Sequence, residues 1–455
     1  MQSEKKLTLW ALAWPIFIEM FLQFLLGTAD TLMVSHISDD AVAVVGISNQ
    51  LFQAATILFM TVAAGAGVLI AQNLGAGKRE EARIAAIIAV KVSLYISAGL
   101  SVLLFVFAEF VAKLLQIPDP LLPLAQSYIS IVGGGTIFTA AMAALGSVIR
   151  NTGNTRGPMF IAIGMNVVHV LLGYVFIYGA FGFPQLGLTG AAVSTLVSRL
   201  AASIVLLRLF LYAFERKVEW RDFQLFDRSL FKDILRLGWP MGVNSASWFV
   251  TQLVIFSFVA MLGAKELAAR TYMNTMESFC FLLGYSVAMA AQIQIAYLFG
   301  AGDNKEAYRS AFRALGLGLL IVIPGTLLLY AAGGNVLHLF TADAEIVALG
   351  VSLLAVNIIL QPGKMLNMAI NGALTAVGDT RFIMINGLLS MWLIATGLSY
   401  LFGIRLEWGL IGIYIGMIID EYTRGVIVLI RWIKRAQLTR RKRVASESSD
   451  MSASQ

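Results

Sequence analysis

The chain has 455 residues, 58% of them hydrophobic and 13% charged, with a mean hydropathy of +0.80. This balance excludes an ordinary soluble globular protein and points to a polytopic membrane protein. The net charge of +7 reads as topological rather than as a nucleic-acid footprint, because the basic residues fall between apolar stretches.

Twelve apolar stretches succeed one another, at 8–36, 40–74, 83–114, 120–149, 157–180, 187–214, 232–262, 266–299, 307–340, 345–376, 382–403 and 409–433. They are long, continuous and non-alternating, so helices are expected rather than barrel strands. The expected fold is therefore an all-α polytopic membrane protein with twelve transmembrane helices. An even number of spans puts both termini on one side. Lys5, Lys6, Lys78, Arg79, Arg83, Arg150, Arg156, the basic residues of 216–232, Lys305, Arg309, Arg313, Arg381 and Arg440 to Arg443 fall at the ends and at every second loop. The positive-inside rule then makes both termini cytoplasmic. The first apolar run is too long for a signal peptide and holds acids, so an uncleaved first span is expected. With Cys280 the only cysteine, no internal disulfide or cysteine metal cluster can form.

The first stretch carries Glu19 and Asp30 in mid-span, Pro15 one turn before Glu19, and Gln23 and Gly27 close to the acids' face. The two acids are separated by about three helical turns and lie within about 20° of one another around the axis. A mid-membrane carboxylate costs about 2.5–3.5 kcal/mol on an insertion scale, so such groups face a bundle interior or a wet cavity. The second stretch contributes Asn49. In the fifth, Asn166, His169 and Gly173 share a face; in the sixth, Thr195 and Arg199 are i, i+4 neighbours. Two arrangements of the first-half acid are open: a proton or substrate site with His169 and Thr195, or an ion pair of Asp30 with Arg199 that fixes packing.

The second half offers Asn274, Glu277, Lys364, Asp420, Glu421 and Arg424. Glu421 and Arg424 can satisfy each other at i, i+3. Glu277 has no local partner and is the better candidate for a cavity-lining acid.

An internal repeat organises the chain. LAWPI at 12–16 returns as LGWPM at 237–241, Gly75-Ala76-Gly77 as Gly300-Ala301-Gly302, GNTR at 153–156 as GDTR at 378–381, and Asn49 as Asn274, all at one offset. The halves are two pseudo-symmetric six-helix bundles in parallel repeat, 1–214 and 232–433, joined by a charged cytoplasmic linker at 215–231. A disordered basic tail is expected at 434–455. Parallel repeats are the plan of many secondary transporters, with substrate bound near the midplane. Glu19, Asp30, Lys91 and His169 correspond to Asn244, Ile255, Gly316 and Ile394, so the first half carries ionisable groups that its twin lacks. The Gly motifs at the cytoplasmic turns read as turn chemistry.

No HExxH, Walker A or GxSxG pattern occurs, and His36, His169 and His338 are too scattered for a metal site. The chain is expected to be no enzyme and to need no cofactor or metal.

Taken together, LAWP, GTADTLMVSH, LGAGKREEA, RNTGNTR, IYGAFGFPQLGLTGAA and ALTAVGDTR across residues 8–433 resemble the MATE (multidrug and toxic compound extrusion) family. The resemblance implies two six-helix bundles around a cavity, and export of small organic, often cationic compounds in exchange for inward H⁺ or Na⁺. It makes Asp30 the first-helix coupling acid, Pro15 the bending proline and Thr195 a hydroxyl near that acid. The chain departs from the family at the fifth-helix pair, here His169 and Gly173, and at Trp248 and Lys364, where the NorM-type branch carries acids. Imidazole is a poor Na⁺ ligand, so H⁺ is the favoured coupling ion, shared between Asp30 and His169. The expected partners are small organic substrates, H⁺ and membrane lipid, with the chain acting as a monomer. A flippase for a lipid-linked saccharide or cell-wall precursor is the alternative; it calls for a more cationic cavity, to which Lys91, Arg199 and Lys364 would contribute.

Overall fold

A computed structural model describes the backbone of residues 8–453 and, near the end of the chain, side chains as far as 435 and at 437. Lys5 and Lys6 lie outside the described residues, as does most of the side-chain detail beyond 435; the backbone of 434–453, expected as a disordered tail, is instead helical.

Among the described residues every regular element is helical. In chain order the long elements are α1 (Leu9–Ser35), α2 (Asp39–Gly75), α3 (Arg79–Val106), α4 (Asp119–Asn151), α5 (Arg156–Tyr178), α6 (Gly187–Leu211), α7 (Arg228–Leu262), α8 (Ala264–Gly300), α9 (Asn304–His338), α10 (Ala344–Ala376), α11 (Thr380–Arg405) and α12 (Gly409–Ala453). The first eleven are long and apolar enough to cross a membrane. The twelfth has the length, but Asp420, Glu421 and Arg424 interrupt its apolar part.

Local chemistry sets the helix ends. Ser38 starts α2, its Oγ accepting from the Ala41 amide at 3.1 Å, with Asp39 and Asp40 in the positive first turn. Asp303 does the same for α9, accepting from the Glu306 amide at 3.0 Å. Gly77 and its repeat mate Gly302 adopt φ of +74° and +79°, and Gly153 and Gly378 adopt +89° and +82°. Residues with a Cβ rarely take that conformation. Two of the motifs that recur between the halves are therefore turns that need a glycine.

α4 is broken at Gly135, and the Ile137 amide just after the break donates to Ser101 Oγ of α3 at 2.9 Å. A neighbouring hydroxyl thus satisfies a backbone group for which the membrane offers no water. α11 is wound as π-helix over Ser390–Thr396 and Tyr400–Arg405, a geometry that is rare and often found near functional positions.

The chain forms two compact units. The first is Pro15–Gly242; the second comprises the residues up to Trp14 and those from Val243 onward. The changes of unit fall inside α1 and α7, at Pro15 and just after Pro240. At such positions proline removes one helical hydrogen bond.

The core of the first unit joins α2, α3, α4 and α6 through Ile70, Ile87, Ile149 and Phe210, all fully buried. A second cluster in that unit brings Val34 of α1 against Val44 and Ile129. In the second unit Val259, Met273, Leu353, Leu360 and Tyr414 play this role. Residues 215–231, expected as a linker, belong to the first unit and are tied to α3. Arg83 Nη1 donates to Asp222 Oδ2 at 2.5 Å, and Lys91 Nζ donates to the Phe223 carbonyl at 3.0 Å. Lys91, one of the first-half additions, thus holds the linker.

Candidate functional site

α1 and α5 bring two of the first-half additions together. His169 Nε2 lies 2.6 Å from Asp30 Oδ1, and His169 Nδ1 lies 3.1 Å from Ser198 Oγ on α6. The Ser198 hydroxyl donates to the Thr195 carbonyl, also at 3.1 Å. The Ser198 hydroxyl can either donate to His169 Nδ1 or accept from it. The contact between Nε2 and Asp30 Oδ1 is short enough for a hydrogen bond donated by either the imidazole or a protonated carboxyl.

The two ends of this contact have different surroundings. The His169 side chain is 2% exposed, whereas that of Asp30 is 35% exposed. Asp30 opens onto a cavity of about 210 Å³ within the first unit. Its polar wall includes Asn49, Gln53, Thr136, Thr195 and Arg199, and Phe52, Tyr128 and Val132 supply apolar surface. Thr195 Oγ1 is held by the Ala191 carbonyl at 3.0 Å. Asp30 does not pair with Arg199, which instead donates from Nη1 to Thr139 Oγ1 at 2.8 Å. The ion pair of Asp30 with Arg199 that the sequence left open is not formed; Asp30 contacts His169 instead.

Other sequence candidates lie away from this cavity. Glu19 is buried and accepts from Arg150 Nη1 of α4 at 2.6 Å, while its Oε2 is buried without a hydrogen-bond partner. Asn166 donates to its own helix at the Ala162 carbonyl, 2.8 Å. Gln23 is exposed and outside the cavity wall. A Cβ added at Gly173, next in the fifth-helix series, would meet the end of the Met33 side chain at 3.1 Å.

In the second unit Asn274 is exposed. Glu277, expected to line a cavity, is buried inside a polar network. Its Oε2 accepts from Lys364 Nζ at 3.2 Å and its Oε1 from the Tyr414 hydroxyl at 2.7 Å; Arg270 Nη1 donates to the same hydroxyl at 2.6 Å. The Arg270 guanidinium also lies 5.1 Å from the centre of the Tyr414 ring. A separate group joins Arg424 to Asp420 at 2.6 Å and to Glu421 at 2.9 Å. Ser390 and Asn367 close its remaining carboxylate oxygens.

Sequence reasoning missed Ser198, Tyr128, Thr139, Arg270 and Tyr414. Ser198 had a signal, since it lies one helical turn beyond Thr195. The others are single residues among many of their kind.

The MatE family model matches the chain twice, at residues 15–175 and 240–401. The starts of the two matches keep the spacing of the internal repeat. An uncharacterised transporter of Bacillus subtilis, YisQ, is 33% identical over 433 residues, covering 95% of each chain. A probable multidrug resistance protein NorM of Thermotoga maritima is 28% identical, covering 95% of this chain and 94% of its own. The solved outward-facing structure of a multidrug resistance MATE family transporter superposes with a TM-score of 0.88 at 20% identity, covering 96% of this chain and 99% of that one. The similarity to that structure concerns the fold, whereas the double match spans both halves of the sequence: this chain belongs to the MatE family of multi-pass membrane transporters.

Proposed function

We propose that the protein is a secondary active antiporter that exports amine-bearing, amphipathic organic compounds in exchange for inward H⁺. The observation that carries this reading is the 2.6 Å contact between Asp30 and buried His169, at the edge of a cavity. Probable multidrug resistance proteins among the relatives support the efflux direction.

A proton has two resting places here, and only one of them faces the cavity. With the carboxylate ionised, Asp30 attracts the ammonium of a substrate. Entry of H⁺ from outside neutralises it. The substrate then loses its counter-charge and leaves. His169 keeps the transferred proton close, and Thr195 lines the wall beside it. α1 bends at Pro15, where a helical hydrogen bond is already missing, and the first-half pocket closes. H⁺ is favoured over Na⁺ because the side chain bonded to the acid is an imidazole, a poor ligand for a hard cation that prefers oxygen.

In this reading the halves 1–214 and 232–433 rock about the midplane. Both termini lie in the bacterial cytoplasm, the molecule works as a monomer in the plasma membrane, and residues 434–455 form a basic tail. The test is drug resistance in cells lacking their own efflux pumps. Wild type should raise tolerance to amphipathic amines, and Asp30→Asn should abolish the gain at equal membrane expression. An Asp30→Asn variant as protective as wild type would refute the reading.

A further inference from the structure

We infer that Arg199 makes the first-unit cavity a receptor for amphoteric compounds, whose acidic group meets the guanidinium while their amine meets Asp30. This rests on the efflux reading and specifies its substrate class.

Arg199, half-buried, stands apart from other buried or half-buried arginines. Arg83, Arg150, Arg270 and Arg424 each have a carboxylate within 3.5 Å: Asp222, Glu19, Glu277 and Asp420. Among the described residues Arg199 forms no ion pair, and it spends one donor on a neutral hydroxyl, Thr139 Oγ1. A guanidinium has five donors in a rigid fork suited to a carboxylate or phosphate. The acid on the same cavity wall, Asp30, is already bonded to His169.

A purely cationic ligand in this cavity would be attracted by Asp30 and repelled by Arg199. An amphoteric ligand satisfies both, and it gives a charge held inside a membrane protein the counter-ion that the chain withholds. Asn49, Gln53 and Thr136 on the wall can hydrogen-bond either end of such a molecule, and Phe52 and Val132 can pack against its apolar part. The ligand class is therefore an organic amine that also bears a carboxylate or a comparable anionic group.

The test compares two probes that differ only in that charge, Nα-dansyl-lysine and its methyl ester. Both keep the free ε-amine. Binding is followed by dansyl fluorescence on purified full-length protein in detergent, for wild type, Arg199→Gln and Arg199→Lys. Wild type should prefer the acid by about tenfold or more, as for a charge-assisted bidentate contact. Arg199→Gln should bring the ratio to near one, and Arg199→Lys, which keeps the charge but not the fork, should fall between. The idea is overturned by a wild type without preference, or by an unchanged ratio in both variants. The same probes loaded into proteoliposomes test the efflux reading separately. A ratio lost in Arg199→Gln, with no flux of either probe through wild type, would sustain the role of Arg199 and end the efflux reading.

Discussion

Asp30 and His169, on α1 and α5, share a 2.6 Å hydrogen bond in which the acid faces the cavity and the imidazole is buried behind it. His169 is fixed from its other side by Ser198 at 3.1 Å, so the ring cannot turn away without losing both contacts. Replacing His169 with Leu removes the second resting place for the proton. ΔpH-driven export should fall by about tenfold or more, on the scale of a lost proton-transfer group. His169→Gln keeps a polar side chain and should retain part of the rate. Initial export rates from proteoliposomes of equal protein content check this; equal rates in the Leu variant and wild type would count against it.

Glu19 and Arg150 form a buried pair whose value lies in being complete. Arg150→Met should leave the Glu19 carboxylate buried without its partner and lower stability by about 3–5 kcal/mol. The double variant Glu19→Gln with Arg150→Met removes both charges and should recover much of that loss. Denaturation in detergent, compared across the cycle, measures the coupling.

Tyr414 serves two charged groups at once, accepting from Arg270 at 2.6 Å and donating to Glu277 at 2.7 Å. Tyr414→Phe retains the ring and its stacking with the guanidinium but deletes the hydroxyl. The expected loss is about 1–3 kcal/mol, the cost of leaving a buried polar group unsatisfied. Because the network lies in the second unit, ΔpH-driven export at low temperature should be affected less than thermal stability. Melting curves and flux on the same preparation separate the two effects.

Asp222 in the linker gives a pH signature outside the membrane. The Glu219 amide, donating at 2.9 Å, and then Arg83 hold its carboxyl below the usual carboxylate range, although burial opposes them. The folded state thus binds that proton less readily than the unfolded chain. Its contribution is present above the ordinary aspartate value of about 4 and is lost as pH falls through the depressed one. Asp222→Asn should lower the melting temperature at pH 7 and shrink the difference between the proteins as the pH is lowered. A constant difference at every pH would contradict the linkage.

The helices and their repetition were legible in the sequence because the features that encode them are local. Long apolar runs have one solution in lipid, and Gly77, Gly153, Gly302 and Gly378 recur because each turn needs a positive φ. Asp30 and His169 were legible because both are additions to one half of a duplicated scaffold. Arg150 illustrates what was hidden. It reads as one more basic residue at a cytoplasmic turn, yet the packing of α4 against α1 delivers it to Glu19. The cage around Glu277 was hidden for the same reason, since Arg270 is seven residues along the same helix but Lys364 and Tyr414 come from α10 and α12. Spacing within a helix says which residues share a face; it does not say which face of another helix they meet.

The most direct test of proton coupling at Asp30 is export of a fluorescent organic amine from proteoliposomes under separately imposed gradients. An inward H⁺ gradient without Na⁺ should drive export by wild type and not by Asp30→Asn, and an inward Na⁺ gradient at equal pH should drive none. Na⁺-driven export at zero ΔpH, or wild-type rates in Asp30→Asn, would contradict it.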